Sequence, residues 1–162
     1  MVNQGNFLVL GLGNLLMNDD AAGLRAVYTL QERYPDRANF QIVDGGTLGL
    51  DLLGHVAWAD KLLLLDAINI NEAPGTVALV AGEDINPILT QRISPHQVGL
   101  KDLLEAAELI GDRPADVELL GIQYDNINME MTLSEAVERG MPRLIAAAAE
   151  RIEAFLSSSP NL

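Results

Sequence analysis

The 162-residue sequence contains no cysteine and few aromatic residues, which make up 4% of the chain. Without cysteine there are no disulfides, thiolate nucleophiles or thiolate metal ligands. Any catalysis must therefore use carboxylates, histidine, hydroxyls or backbone groups. The scarcity of aromatic side chains also leaves little material for stacking nucleic-acid bases.

Basic residues and long apolar runs are scarce as well. Ten Lys and Arg face 23 Asp and Glu, for a net charge of −13, and the cations stand singly, so we expect no nucleic-acid partner. No apolar run reaches the roughly 18 residues that a membrane span needs. Residues 1–5 do not begin a signal peptide, so we expect a cytoplasmic protein without membrane contact.

The length and the 49% hydrophobic content suffice for one domain with a substantial core. We find no internal repeat and no linker-like stretch, and expect a single domain over residues 1–156 followed by a short flexible tail, 157–162. Short apolar runs alternate with segments of helical periodicity. This alternation predicts an α/β fold, a three-layer domain with a mixed, mostly parallel sheet flanked by helices.

The pattern predicts individual elements. Strands are expected at residues 7–10, 40–43, 62–65, 76–80 and 117–124. The run at 62–65 is expected to end at Asp66. The turn signal Pro74-Gly75 predicts that strand 76–80 returns antiparallel to the run before it.

Helices are predicted between these strands. One follows the first strand and stops at Pro35, and a short one runs through residues 50–57. Ser94-Pro95-His96-Gln97 has the pattern of a capping-box helix start. A C-terminal helix is expected to open at Thr132 with Glu135, and Gly140 and Pro142 are expected to break or kink it.

Candidate functional residues follow from this order of elements. In an open α/β sheet, ligands bind beyond the carboxyl ends of the strands, where Asp44 and Asp66 are expected. Asp20, after strand one, and His96, at a helix start, could reach the same edge. Carboxylate oxygens with an imidazole nitrogen suit Zn²⁺, Ni²⁺ or a similar divalent ion.

Each candidate also has a structural interpretation. Asp20 could cap the helix that follows it, and Asp66 could be a solvated loop residue or a cap. The helix dipole near His96 favours the neutral imidazole that binds metals. His55 is interpreted as a framework or surface residue. Gly45-Gly46 could offer backbone groups to an extended peptide or only allow a tight turn.

Two other motifs are weak. Gly11-x-Gly13 after a strand suggests a dinucleotide site, but Leu16 stands where the third glycine belongs. Ser94 lacks the Gly-x-Ser-x-Gly context of a nucleophile elbow.

Six segments together resemble the nickel-iron hydrogenase maturation endopeptidases. The strings are Gly11-Leu12-Gly13-Asn14-Leu15-Leu16, Asn18-Asp19-Asp20, Asp44-Gly45-Gly46-Thr47, Leu65-Asp66-Ala67, Ala73-Pro74-Gly75-Thr76 and Ser94-Pro95-His96-Gln97. The resemblance covers nearly the whole chain in order. It implies an α/β enzyme that cuts the C-terminal extension from the hydrogenase large-subunit precursor once nickel has been inserted.

The resemblance also implies roles for single residues. Asp20, Asp66 and His96 fall on the family's metal-contacting positions, with nickel supplied by the substrate, or zinc or another divalent ion held by the protease. Some members carry Glu at the position of Asp20, so a shorter side chain must reach the metal here. Asp44, Gly45 and Gly46 are expected to seat the substrate tail or orient the attacking water.

Two other functions fit parts of this pattern. A strand followed by Gly-Leu-Gly-Asn also occurs in peptidyl-tRNA hydrolases, although the net charge of −13 disfavours a tRNA substrate. A non-catalytic module that binds nickel and holds the precursor is the second alternative.

Overall fold

The computed structural model describes residues 4–46, 52–89 and 100–158, and in these residues strands alternate with helices. The strands are β1 (Phe7–Leu12), β2 (Phe40–Gly46), β3 (Lys61–Ile68), β4 (Val77–Ala81) and β5 (Asp116–Gln123). The helices are α1 (Ala22–Arg33), α2 (Leu53–Trp58), α3 (Ile85–Leu89), α4 (Leu100–Leu109) and α5 (Glu135–Ser158). Short 3₁₀ turns at Asn18–Ala21 and Gly82–Asp84 precede α1 and α3.

The sheet has the order β2-β1-β3-β5-β4. Neighbouring strands from β2 to β5 are parallel, and β4 pairs antiparallel with β5. The predicted mixed, mostly parallel sheet is confirmed. Strand β4 runs antiparallel to β3, as expected, but β5 lies between them. No hairpin forms because β5 pairs with β3 along its whole length, from Lys61 to Ile68.

Helices cover both faces of the sheet and make the three layers. Phe7 and Val9 pack with α1 and α5 on one face, whereas Leu8 and Leu10 pack with α2, α3 and α4 on the other. All four side chains are fully buried. A strand buried on both faces needs a continuous apolar run, which is why β1 shows no alternation of apolar and polar residues.

Helix α5 differs from its prediction at its start and at Pro142. Its cap is Ser134, whose Oγ accepts a hydrogen bond from the Val137 N–H at 3.4 Å, so the predicted start at Thr132 is wrong. The helix continues through Gly140 and Pro142, so the predicted break is wrong. Val137, Met141, Leu144 and Ala148 are buried in one core cluster on both sides of the proline, and this packing outweighs the ~3 kcal/mol that an interior proline costs. The helix ends at Ser158.

No helix in the described ranges combines the length and the apolar character that crossing a membrane requires.

Candidate functional site

The carboxyl ends of the parallel strands bring two of the candidate carboxylates to one edge of the sheet. Gly11 on β1 is in register with Asp44 on β2 and with Leu65 on β3. Asp66 follows Leu65, so the two acids flank the end of β1 at nearly the same level. This is the edge at which ligands bind in open α/β sheets.

Asp66 is a buried strand residue. Strand β3 continues through it to Ile68, so the expectation that the strand ends at Asp66 is wrong. Asp66 is 1% exposed and both of its carboxylate oxygens are shielded from solvent, which excludes the solvated-loop interpretation. Leu64 and Ile68 pack against the layer of α2 and α4, and alternation along the strand places Asp66 on that face.

Asp20 lies in the 3₁₀ turn Asn18–Ala21 and is half-buried. The N-cap of α1 is Ala21, with no side-chain capping hydrogen bond, so the interpretation of Asp20 as the cap is wrong. Gly23 in the first turn of α1 packs closely on β3, near the carboxyl end of the strand. A Cβ at this position would lie only 2.2 Å from the Leu65 carbonyl oxygen. The turn that carries Asp20 therefore lies beside the end of β3, where Asp66 is found.

Asp44 also reaches this edge, but on the other face of the sheet. The Tyr28 hydroxyl on α1 donates a hydrogen bond of 2.5 Å to Asp44 Oδ2. That bond raises the pKa of Tyr28, and burial and the negative charge of Asp44 act in the same direction. Because α1 covers the face opposite to α2 and α4, Asp44 and Asp66 flank β1 without facing each other.

Gly45 and Gly46 belong to β2 and do not form a separate turn after it. A Cβ on Gly45 would lie 2.6 Å from the Gly11 carbonyl oxygen, so only glycine allows the strands to approach there. Gly46 has φ +46°, and the β1–β2 register shifts beside it. Of these two glycines, only Gly46 has the positive φ that the tight-turn interpretation requires.

Of the two histidines, only His55 lies in the part of the chain that the structure describes. His55 is exposed on α2, in agreement with its interpretation as a surface residue. His96 and the predicted capping box around it lie outside the described residues. Within ranges 4–46, 52–89 and 100–158, no three histidine or acidic side chains group closely enough to hold a metal ion, so a three-ligand site would need at least one ligand from outside these ranges.

Sequence reasoning missed Asp19, which is fully buried beside Asp20. Adjacent aspartates look alike in a sequence. What distinguishes Asp19 from Asp20 is that Asp19 accepts hydrogen bonds from backbone N–H groups of the polar loop after β5, which need an acceptor. The tertiary structure brings that loop to Asp19.

Comparison with known proteins identifies the family. The family model described as hydrogenase maturation protease matches residues 24–151. The hydrogenase 2 maturation protease of Escherichia coli (strain K12) is 39% identical over 153 residues, which covers 94% of this chain and 91% of that protein. This chain belongs to the hydrogenase maturation protease family.

Solved structures of the family share this fold. The hydrogenase maturating endopeptidase HybD from E. coli superposes with a TM-score of 0.83 at 35% identity, covering 92% of this chain and 93% of that one. The [NiFe] hydrogenase maturation protease HybD from Thermococcus kodakarensis gives 0.73 at 31% identity, covering 90% and 97%. The chain is an endopeptidase, and neither the peptidyl-tRNA hydrolase nor the non-catalytic alternative gains support.

Proposed function

We propose that this protease removes the C-terminal extension of a nickel-iron hydrogenase large-subunit precursor after nickel insertion, with Asp20, Asp66 and His96 binding the nickel of the precursor. The observation that carries the proposal is the packing of the Asp20 turn on the end of β3. Gly23, three residues after Asp20, packs on the carbonyl of Leu65, the residue before the buried Asp66, and this supports a position of Asp20 near the Asp66 carboxylate. Family membership indicates the reaction, and the two aspartates, Asp20 and Asp66, indicate where on the sheet edge we expect it to take place.

The donor set fits a divalent ion such as nickel. Two aspartates and an imidazole combine negative oxygens with a neutral nitrogen, a set that Ni²⁺ and Zn²⁺ both accept. Burial of Asp66 favours this use, since a carboxylate shielded from water attracts a cation more strongly than a solvated one. A precursor without nickel would lack the ion that these residues bind, and its tail would not be held for attack.

The attack itself is assigned to water. The chain has no cysteine nucleophile, and a carboxylate of the site can accept the proton of the attacking water. We assign this step to the side of the sheet that carries Asp66 and not to Asp44, which lies on the other face. The expected cytoplasmic location stays a prediction.

The edge of β2 offers a seat for the extension. Phe40 and Ile42 turn their backbone groups outward, and the chain covers them: Phe40 N–H donates to the Arg37 carbonyl at 3.2 Å and Ile42 N–H to Asp36 Oδ1 at 3.2 Å. The same alternation turns the backbone of Asp44 outward, next to the candidate site. We assign this position to an extended substrate tail that pairs with the strand edge.

Replacing Tyr28 with phenylalanine tests this seat. The variant loses the hydroxyl that holds Asp44, and we expect the KM for nickel-loaded precursor to rise about threefold to tenfold, the range for one lost hydrogen bond. Because the bond to Asp44 raises the pKa of Tyr28 in the folded protein, this bond stabilises the fold fully below pH 10. The stabilisation is lost as the pH rises through the folded-state pKa. The variant should therefore lack one late phenolate transition in ultraviolet absorbance.

Tyr34→Phe is the matched control for this prediction. It removes a second tyrosine–carboxylate bond, from Tyr34 to Glu153, which also raises a tyrosine pKa but joins the residue after α1 to α5 and does not involve Asp44. It should lose a late phenolate transition and keep the wild-type KM. Equal KM values in Tyr28→Phe and the wild type would exclude Asp44 from the substrate seat.

Cleavage should depend on nickel in the precursor. With nickel-loaded precursor, we expect the purified protease to release the extension without added metal. With nickel-free precursor we expect at most about 1% of that rate, since lost metal contacts commonly cost two orders of magnitude or more. Mass spectrometry of the large subunit gives the readout. Full cleavage of nickel-free precursor after addition of Zn²⁺ to the protease would show that the protease holds its own catalytic metal.

A further inference from the structure

Asp19 receives hydrogen bonds on both carboxylate oxygens from the loop after β5. Oδ2 accepts from the backbone N–H of Asp125 at 2.9 Å, from that of Asn126 at 3.0 Å and from the Ser134 hydroxyl at 2.8 Å. Oδ1 accepts from the Ser134 N–H at 2.7 Å. A carboxylate offers about four acceptor positions, and four hydrogen bonds end on this one, three on Oδ2 and one on Oδ1.

These bonds join the turn that carries Asp20 to a distant part of the chain. The Asp19 N–H donates to the Asn126 carbonyl at 3.1 Å, and the Asn18 N–H donates to the Glu130 carbonyl at 2.7 Å. The Asn18 side-chain amide adds a bond of 2.7 Å to the Thr132 carbonyl. The turn is therefore held from both sides, by the end of β3 and by residues 125–134.

Asn18 shows that this arrangement imposes a backbone constraint. Its φ is +44°, in the left-handed region where residues other than glycine are uncommon. Such a conformation persists only where the surrounding contacts determine it, and here the contacts are those that Asn18 and Asp19 make with residues 125–134. Without them the turn would relax, and the side chain of the next residue, Asp20, would move.

We infer that Asp19 is a positioning residue for the cleavage: its buried carboxylate fixes the turn Asn18–Ala21 against the loop after β5 and so sets where Asp20 stands relative to Asp66. The inference rests on the proposed function, in which Asp20 contacts the metal. Asp19 itself does not reach the reacting atoms, because it is fully buried and its oxygens face the loop. It acts on the reaction through Asp20.

Asp19→Asn tests the inference with little change in volume. The new amide NH₂ replaces an acceptor with a donor and faces N–H groups that need an acceptor. We expect kcat/KM for nickel-loaded precursor to fall about tenfold to a hundredfold, as when groups that orient metal ligands are removed. The affinity of the folded protein for Ni²⁺ alone, measured by titration calorimetry, should fall by a similar factor.

Ile152→Val is the stability control. Ile152 is fully buried on α5, about five turns along the helix from Ser134. We expect the variant to lower the melting temperature without changing the contacts between Asp19 and the loop after β5. Both proteins are compared well below their melting temperatures. If Ile152→Val loses as much kcat/KM and Ni²⁺ affinity as Asp19→Asn, Asp19 has only a structural role and the inference is wrong.

Two further variants separate the remaining outcomes. If Asp19→Asn does not fold, Ser134→Ala decides: it removes one of the four donors and should lower kcat/KM about threefold to tenfold, and an unchanged value overturns the inference. Asp66→Asn tests the proposed function by itself. Loss of cleavage there with wild-type behaviour in the Asp19 and Ser134 variants would reject only the positioning role.

Discussion

Asp66→Asn is expected to reduce cleavage of nickel-loaded precursor by about 10²-fold to 10⁴-fold, the usual contribution of a positioned acid–base group or metal ligand. The asparagine side chain keeps the size of the buried group but removes its charge and one of its oxygens. The loss should appear in kcat/KM, measured by release of the C-terminal extension. Circular dichroism should show a cooperative unfolding transition like that of the wild type.

Asp112→Asn provides the matched control for the loss of one negative charge. Asp112 is exposed in the connection between α4 and β5, at the opposite edge of the sheet, since β5 begins at Asp116. We expect wild-type cleavage from this variant. If Asp66→Asn also cleaves at the wild-type rate, the metal site has been assigned to the wrong residues.

Gly13→Ala is expected to have the largest effect on stability. Gly13 has φ +128°, and a Cβ there would lie 1.8 Å from the Asp20 carbonyl oxygen. Strain from the positive φ and the steric overlap together should lower the free energy of unfolding by about 3–5 kcal/mol, or the melting temperature by roughly 10 °C. Cleavage by the folded fraction should fall about 10²-fold, because the turn that carries Asp20 must move by an ångström or more.

Gly111→Ala separates the two causes of this loss. Gly111 also has a positive φ, +81°, but nothing lies within 4 Å of its hypothetical Cβ. Strain without overlap should cost about 1 kcal/mol and leave cleavage unchanged. Urea unfolding of both variants gives the comparison. Equal losses of stability would mean that the contact between Gly13 and the Asp20 turn does not constrain the site.

The core strands were readable from sequence because they are buried on both faces. Phe7 to Leu10 form an uninterrupted apolar run, and the structure buries every one of these side chains. The fold class followed from the order of such runs and helices. The sequence did not show that β4 pairs with β5. The turn before β4 determines only the direction of that strand, whereas its partner depends on where the later strand β5 enters the sheet.

Local capping patterns were less informative. The sequence offers two possible caps for helix α5, Thr132 and Ser134. In the structure the cap is Ser134, which accepts from the Val137 N–H and whose hydroxyl also donates to the buried Asp19. A sequence window around residue 134 does not contain that partner. The start of α5 was therefore decided by a contact between residues more than a hundred positions apart.

The residues by themselves narrowed the chemistry available to this protein: the absence of cysteine excluded thiolates, and carboxylates at strand ends favoured a site with oxygen donors joined by an imidazole nitrogen. The motif strings also predicted the protease family, which the relatives confirm. Tertiary structure alone decided that Asp66 is buried within β3, that Asp44 faces α1 on the other side of the sheet, and that Asp19 ties the Asp20 turn to the loop after β5. The physical reason is that burial and hydrogen-bond partners depend on which distant segments pack together, and the spacing of residues along the chain does not specify that packing.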